Sequence, residues 1–103
     1  MKLDIKTLMK QAQEMQTAMA KKQEELSKLS FEASSGGGMV TATVNGKNEL
    51  LKLAIDPSIV SANDIEMLQD LIVAAINEAF KKAGNAIQSE MSGMLGGMGN
   101  LQL

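Results

Sequence analysis

An α+β fold of order α-β-β-β-α is predicted for this chain: a three-stranded antiparallel meander flanked by two long helices, in a dimer. Three observations predict it. Two long stretches, near residues 5–29 and 64–91, carry apolar residues at helical spacing. Between them lie three short runs in which apolar and polar residues alternate. The runs are separated by Gly36-Gly37-Gly38 and by Asn45-Gly46, residues that reverse a chain.

The first helix is read from Ile5, Leu8, Ala12, Met15, Met19, Lys22, Leu26 and Leu29, which alternate at intervals of three and four. That is a coiled-coil-like heptad seam with Lys22 as its one polar position. Ala12, Met15 and Met19 specify packing less sharply than Leu or Ile. The helix is therefore expected to pack along its length, partly on the sheet and partly on another helix.

The first strand follows in Leu29–Ser34 and the second in Met39–Val44. A glycine triplet can also open a phosphate-binding loop, but such a loop leads into a helix, commonly with a Lys-Ser/Thr pair. Here it leads into the β-branched run Val40-Thr41-Ala42-Thr43-Val44, so the glycines are read as a hairpin turn. Asn45-Gly46 predicts a two-residue type I′ turn, placing Val44 opposite Lys47. Val40, Ala42 and Val44 then share an apolar face with Leu51, Leu53 and Ile55. Pro57 ends the third strand.

The second helix is expected to begin near Asp64, with Asn63 as its cap and Glu66 reaching back. Leu68, Leu71, Ile72, Ala75, Ile76, Ala79, Phe80, Ala83 and Ile87 form its apolar stripe, and Gly84-Asn85 is a weak point within it. One domain over residues 1–91 is expected, followed by a flexible Gly/Met-rich tail over 92–103. A helix of ~26 residues spans roughly 39 Å and overhangs a sheet only about 20 Å long. The overhanging apolar surface and the sheet edges are expected to be covered in a homodimer with helical arms.

The chemistry available is narrow. The chain has 103 residues, no cysteine and no histidine, and all ten basic residues are lysines. Disulfides, zinc-thiolate sites and thiol nucleophiles are excluded. Asp64, Glu66 and Asp70 are acids of the kind that hold Mg²⁺, yet they suit a helix start and its dipole better. Met91, Met94 and Met98 have a spacing compatible with Cu(I), which a flexible tail explains more simply. No catalytic residue, metal or cofactor is assigned, and an enzyme is not expected. No apolar run reaches the ~20 residues of a membrane span and the N-terminus lacks a signal-peptide core, so a cytoplasmic protein is expected.

The chain resembles the YbaB/EbfC family of nucleoid-associated proteins. The residues that carry the resemblance are Gly37-Gly38-Met39-Val40, Asn45-Gly46, Ile55-Asp56-Pro57, the run from Glu66 to Ala79, and Leu8–Gln16 in the first helix. The resemblance implies a small bacterial DNA-binding homodimer shaped like tweezers, located at the nucleoid, whose helical arms contact DNA. Genes of the family often lie beside recombination and clamp-loader genes, which implies a chromosomal role.

Charge is distributed in a way that suits such a partner, although the net charge of −2 and pI near 5.0 do not. Residues 1–22 hold five lysines against two acids, net +3; residues 23–103 hold five against ten, net −5. The candidate DNA-binding residues are Lys2, Lys6, Lys10, Lys21, Lys22 and Lys28, with Lys81 and Lys82 on the second helix. Lys6, Lys10, Lys21 and Lys28 fall away from the heptad seam; the plainer reading is that they solvate an exposed face. Without Arg, and with Phe31 and Phe80 on core faces, neither guanine readout by Arg nor base stacking has a platform. Binding is expected on duplex DNA through phosphates, with little sequence preference. The alternative is a dimeric adaptor whose Met-rich helices dock a replication or recombination protein without direct DNA binding.

Overall fold

The computed structural model describes residues 4–94. Helix α1 (Ile5–Ser27) leads into a sheet of β1 (Ser30–Ser35), β2 (Val40–Asn45) and β3 (Leu50–Ile55), and helix α2 (Ile65–Met94) closes the order. All three strands are antiparallel, with β2 central. The predicted α-β-β-β-α meander is the observed fold.

The two turns are made differently. Gly36, Gly37 and Gly38 have φ of 60°, 68° and 93°, three successive left-handed residues that side chains with a Cβ rarely adopt. The second hairpin departs from the expected two-residue turn. Asn45 N–H bonds the Glu49 carbonyl at 3.0 Å, which leaves a three-residue loop, Gly46–Asn48. The left-handed residue is Asn48 (φ 63°). The reason is the Asn45 side chain, whose oxygen accepts the N–H of Lys47 at 2.9 Å and of Glu49 at 3.1 Å, framing the wider loop.

Val44 therefore faces Leu50, not Lys47, and a bulge lies between Thr43 and Val44. Beyond the bulge, Val40 faces Ile55 and Ala42 faces Leu53. The slip from the expected register is even, so these residues keep their common face. Leu51, expected on that face, is 56% exposed at the bulge.

One face of the sheet is covered by α2. Val40, Ala42 and Val44 from β2 and Ala75, Ala79 and Ala83 from α2 are all fully buried. Phe31, Ala33, Leu53, Ile55, Leu71, Ile72, Ile76 and Phe80 surround them. Small residues at every fourth position let the helix lie close over the central strand. The opposite face is polar: Ser34 and Thr41 hydroxyls are 3.0 Å apart, and Thr43 donates to the Glu32 carboxylate at 3.3 Å.

At the start of α2 the cap is displaced from Asn63. A 3₁₀ turn, Ala62–Asp64, precedes the helix, with the Ser61 hydroxyl accepting from Asn63 N–H at 3.2 Å. The Asp64 carboxylate then accepts from Met67 N–H at 3.2 Å. The helix runs unbroken through Gly84-Asn85 and continues to Met94, past the expected limit at Met91. The remainder of the expected tail lies outside the described residues.

Asp56 caps a second 3₁₀ turn, Pro57–Ile59, by accepting Ser58 N–H at 2.9 Å. That bond, joined by the Ser58 hydroxyl, holds its carboxyl below the ordinary carboxylate range. A depressed folded-state pKa adds stability above the unfolded pKa and loses it as pH falls through the folded value. Asp56→Ala is thus expected to lower the urea midpoint at pH 7 and to narrow its gap from the parent as pH drops below about 4. Parallel midpoint curves at both pH values would count against this cap.

The arm departs from the sequence expectation. The described residues extend over 74 × 29 × 16 Å with a radius of gyration of 20.4 Å, whereas a compact chain of this length has about 13 Å. Along the seam of α1 only Leu26 is buried, at 4% exposure, while Ile5, Leu8 and Met15 are 73%, 46% and 45% exposed. The helix does not lie along the sheet. Its C-terminal end meets α2 and the β2–β3 turn, and the rest projects, because α2 already covers the apolar face of the sheet.

Candidate nucleic-acid interface

Helical geometry sorts the lysines of the arm. At about 100° per residue, Lys6, Lys10, Lys21 and the capping Lys28 fall within roughly 60° of one another around α1. They form a stripe that runs about 33 Å along the axis, close to the ~34 Å of one duplex turn. Ile5, Leu8, Ala12, Met15 and Leu26 lie on the opposite side. Lys10 and Lys21 share a shallow groove with Gln13, Glu14, Thr17 and Ala18. Gln13 and Thr17 were not singled out from sequence; their positions within one turn of Lys10 and Lys21 are the signal that places them there.

The stripe is exposed, so its electrostatic field reaches solvent. Among the described residues, the ammonium groups of Lys6, Lys10 and Lys21 have no ion-pair or hydrogen-bond partner. Lys28 has only a 4.0 Å contact with Glu24, a surface pair of the kind worth less than about 1 kcal/mol. Glu14 and Glu24 lie beside the lysines, which tempers the local positive potential.

The other candidates are placed elsewhere. Lys22 points away from the stripe and pairs with Glu90 of α2 at 3.0 Å. Its polar interruption of the seam is thereby explained: it ties the arm to α2. Lys82 donates from Nζ to the Glu32 backbone carbonyl at 3.0 Å, occupying an acceptor on strand β1. Lys81 and Lys82 line a 630 Å³ cleft with Glu32, Ser34, Thr41, Glu78 and Asn85. Two carboxylates in that cleft offset the two lysines. Lys2 lies outside the described residues.

Other chemistries find less support in the geometry. Asp64 is engaged as a helix cap, and among the described residues no three or more acids cluster as a metal site would need. No described helix is long and apolar enough to cross a membrane.

A small α+β fold with a lysine-striped helical arm on an acidic body presents the kind of basic surface that nucleic-acid-binding proteins use. Comparison with known proteins narrows that class. Residues 1–98 match the YbaB/EbfC DNA-binding family, and the chain belongs to it. It is 46% identical over 98 residues to a nucleoid-associated protein of Acetivibrio thermocellus, covering 95% of this chain and 87% of that protein. It is 50% identical over 96 residues to a nucleoid-associated protein of Clostridium novyi, covering 93% and 84%. An uncharacterized Helicobacter pylori protein, HP0035, has a similar crystal structure: TM-score 0.78, 28% identity, covering 91% of this chain and 99% of that one.

Proposed function

We propose that this protein binds duplex DNA at the bacterial nucleoid as a homodimer, mainly through phosphate contacts and with little sequence preference. In this reading it contributes to chromosome organisation or regulation and has no catalytic role. The observation that carries the proposal is the exposed stripe of Lys6, Lys10, Lys21 and Lys28 along a projecting helix. Lysine ammonium groups on flexible stems neutralise phosphates as point charges without reading bases. The names of the relatives support the nucleoid as the location. The open apolar side of α1, with Ile5 and Leu8 exposed, supports a second copy that shares its burial. Lys81 and Lys82 extend the basic surface on the body, with fewer free donors than the arm.

Fluorescence anisotropy with two unrelated labelled duplexes across a salt series tests the DNA reading. Equal affinities are expected for both, with log K falling linearly in log salt by about 0.9 per phosphate contact. A marked preference for one duplex, or no binding at low salt by a dimer verified by sedimentation, would overturn it.

One observation favours a second reading. Met9 and Met15 are 67% and 45% exposed on the arm, and adaptable methionines suit a partner helix of a replication or recombination protein. In that case Met9→Ala disrupts partner binding and leaves DNA affinity unchanged.

A further inference from the structure

We infer that Gly46 is the joint that sets the angle of the α1 arm. This deepens the DNA-binding reading, since the arm's angle decides where the lysine stripe meets a duplex, but the joint itself rests on packing alone.

Gly46 sits in the β2–β3 loop against the last turn of α1. A Cβ at this position would lie 2.3 Å from the Leu26 carbonyl oxygen, 2.8 Å from its carbon and 2.9 Å from Ser27 Cα. All three are backbone atoms, so no rotamer change relieves the contact. The turn itself does not demand glycine here. Its left-handed residue is Asn48, whereas the positive-φ glycines of the described chain are Gly36, Gly37 and Gly38. The smallness of residue 46 is therefore required by the approach of the helix.

The rest of the arm's attachment is slight. Leu26 is the one buried residue of α1. Lys22–Glu90 supplies a second anchor, with side chains 31% and 52% exposed. Between the anchors and the turn lies a cleft of 400 Å³ bordered by Gln23, Leu26, Gly46 and Ile87, which leaves space for the helix to tilt.

A lever follows from these positions. The Gly46 contact and the Lys22 anchor lie about four residues, or ~6 Å, apart along the axis, while the tip at Ile5 is ~26 Å beyond Lys22. Relieving a methyl at residue 46 needs a shift of at least about 0.7 Å, equivalent to a tilt of roughly 7° and a tip displacement of about 3 Å. Side chains larger than Ala tilt it further.

The chain has no cysteine, so Gln11→Cys on the arm and Lys52→Cys on the sheet accept a pair of spin labels without background. Double electron–electron resonance, with labelled chains diluted into unlabelled ones, reads the arm-to-sheet distance. The label at Gln11 lies ~16.5 Å beyond Lys22, so Gly46→Ala is expected to move the main distance by about 2 Å, and Gly46→Val by more, with the far-UV circular dichroism unchanged. Glu90→Gln leaves the core untouched; it is expected to broaden the distribution by freeing the second anchor. Coincident distributions in folded Gly46→Ala, or, should that chain fail to fold, in Glu90→Gln, overturn the joint. A shifted distance with unaltered duplex affinity upholds the joint and removes the α1 lysines from the DNA reading. An unshifted distance rejects the joint whatever the affinity.

Discussion

Lys6→Glu, Lys10→Glu and Lys21→Glu combined in one chain are expected to lower duplex affinity at least about 100-fold near 0.1 M salt. In the proposed homodimer two arms would lose about six phosphate contacts at ~0.9 each, so the salt slope is expected to fall in magnitude by about 5. All three side chains are exposed and, among the described residues, their ammonium groups are unpaired, so folding has little stake in them. Circular dichroism and the sedimentation mass are expected to match the parent. Lys52→Glu on the polar face of the sheet is the control for net charge, set against Lys10→Glu alone, which carries the same change of charge. It is expected to have a much smaller effect than that single arm substitution. If the triple variant binds as the parent does, phosphate contacts by this helix are refuted. If Lys52→Glu is as damaging as Lys10→Glu, the effect is bulk charge and the stripe has no special part.

Ala79→Leu carries the largest expected cost in stability. Ala79 is fully buried between Ala75 and Ala83 and packs in the cluster with Val40, Ala42 and Val44. Adding three carbons there forces α2 off the sheet or side chains off their rotamers, a cost of about 1–3 kcal/mol. Against a total stability of roughly 5–15 kcal/mol that is a large share, visible as a fall in Tm of about 5–20 °C. Val73→Leu, at a position 56% exposed on the same helix, is the comparison and should leave Tm within a few degrees. Equal melting of both variants would show that α2 does not lie as close to β2 as described. A dimer complicates the reading only if the two Tm values change with protein concentration.

Much of the body was legible because its patterns are local. The apolar stripe from Leu68 to Ile87 buries every one of its nine residues at least in part, since a period near 3.6 admits one inward face. The glycine triplet marked a turn because three left-handed residues exclude most side chains. The faces of β2 and of Leu53 and Ile55 in β3 match the sequence reading despite a different register, because a slip by an even number of residues leaves faces unchanged, whereas Leu51 at the bulge does not. The Asn45-Gly46 turn was misread because a side chain, not a backbone preference, chose the loop length. The Asn63 cap was misplaced for a related reason: a 3₁₀ turn held by Ser61 shifts the helix start by one residue.

The arm was read less well. A seam repeating through α1 suggests contact along the whole helix, yet the seam shows only that one side is apolar, not what covers it. Lys22 and Lys21 are adjacent in sequence and equal in charge. One pairs with Glu90 and the other faces solvent, a division that depends on where α2 passes.

Legible in the chain alone were the element order, the inward faces of α2 and β2, the absence of cysteine and arginine chemistry, and the basic bias of the first 22 residues. Each follows from composition or from periodicity along a few neighbouring residues. Three features came from the folded packing: that α1 is held only at its C-terminal end, that Lys22 pairs with Glu90, and that Gly46 seats the last turn of the arm. Those features arise from contacts between segments more than 15 residues apart, whose meeting depends on packing and not on any local preference.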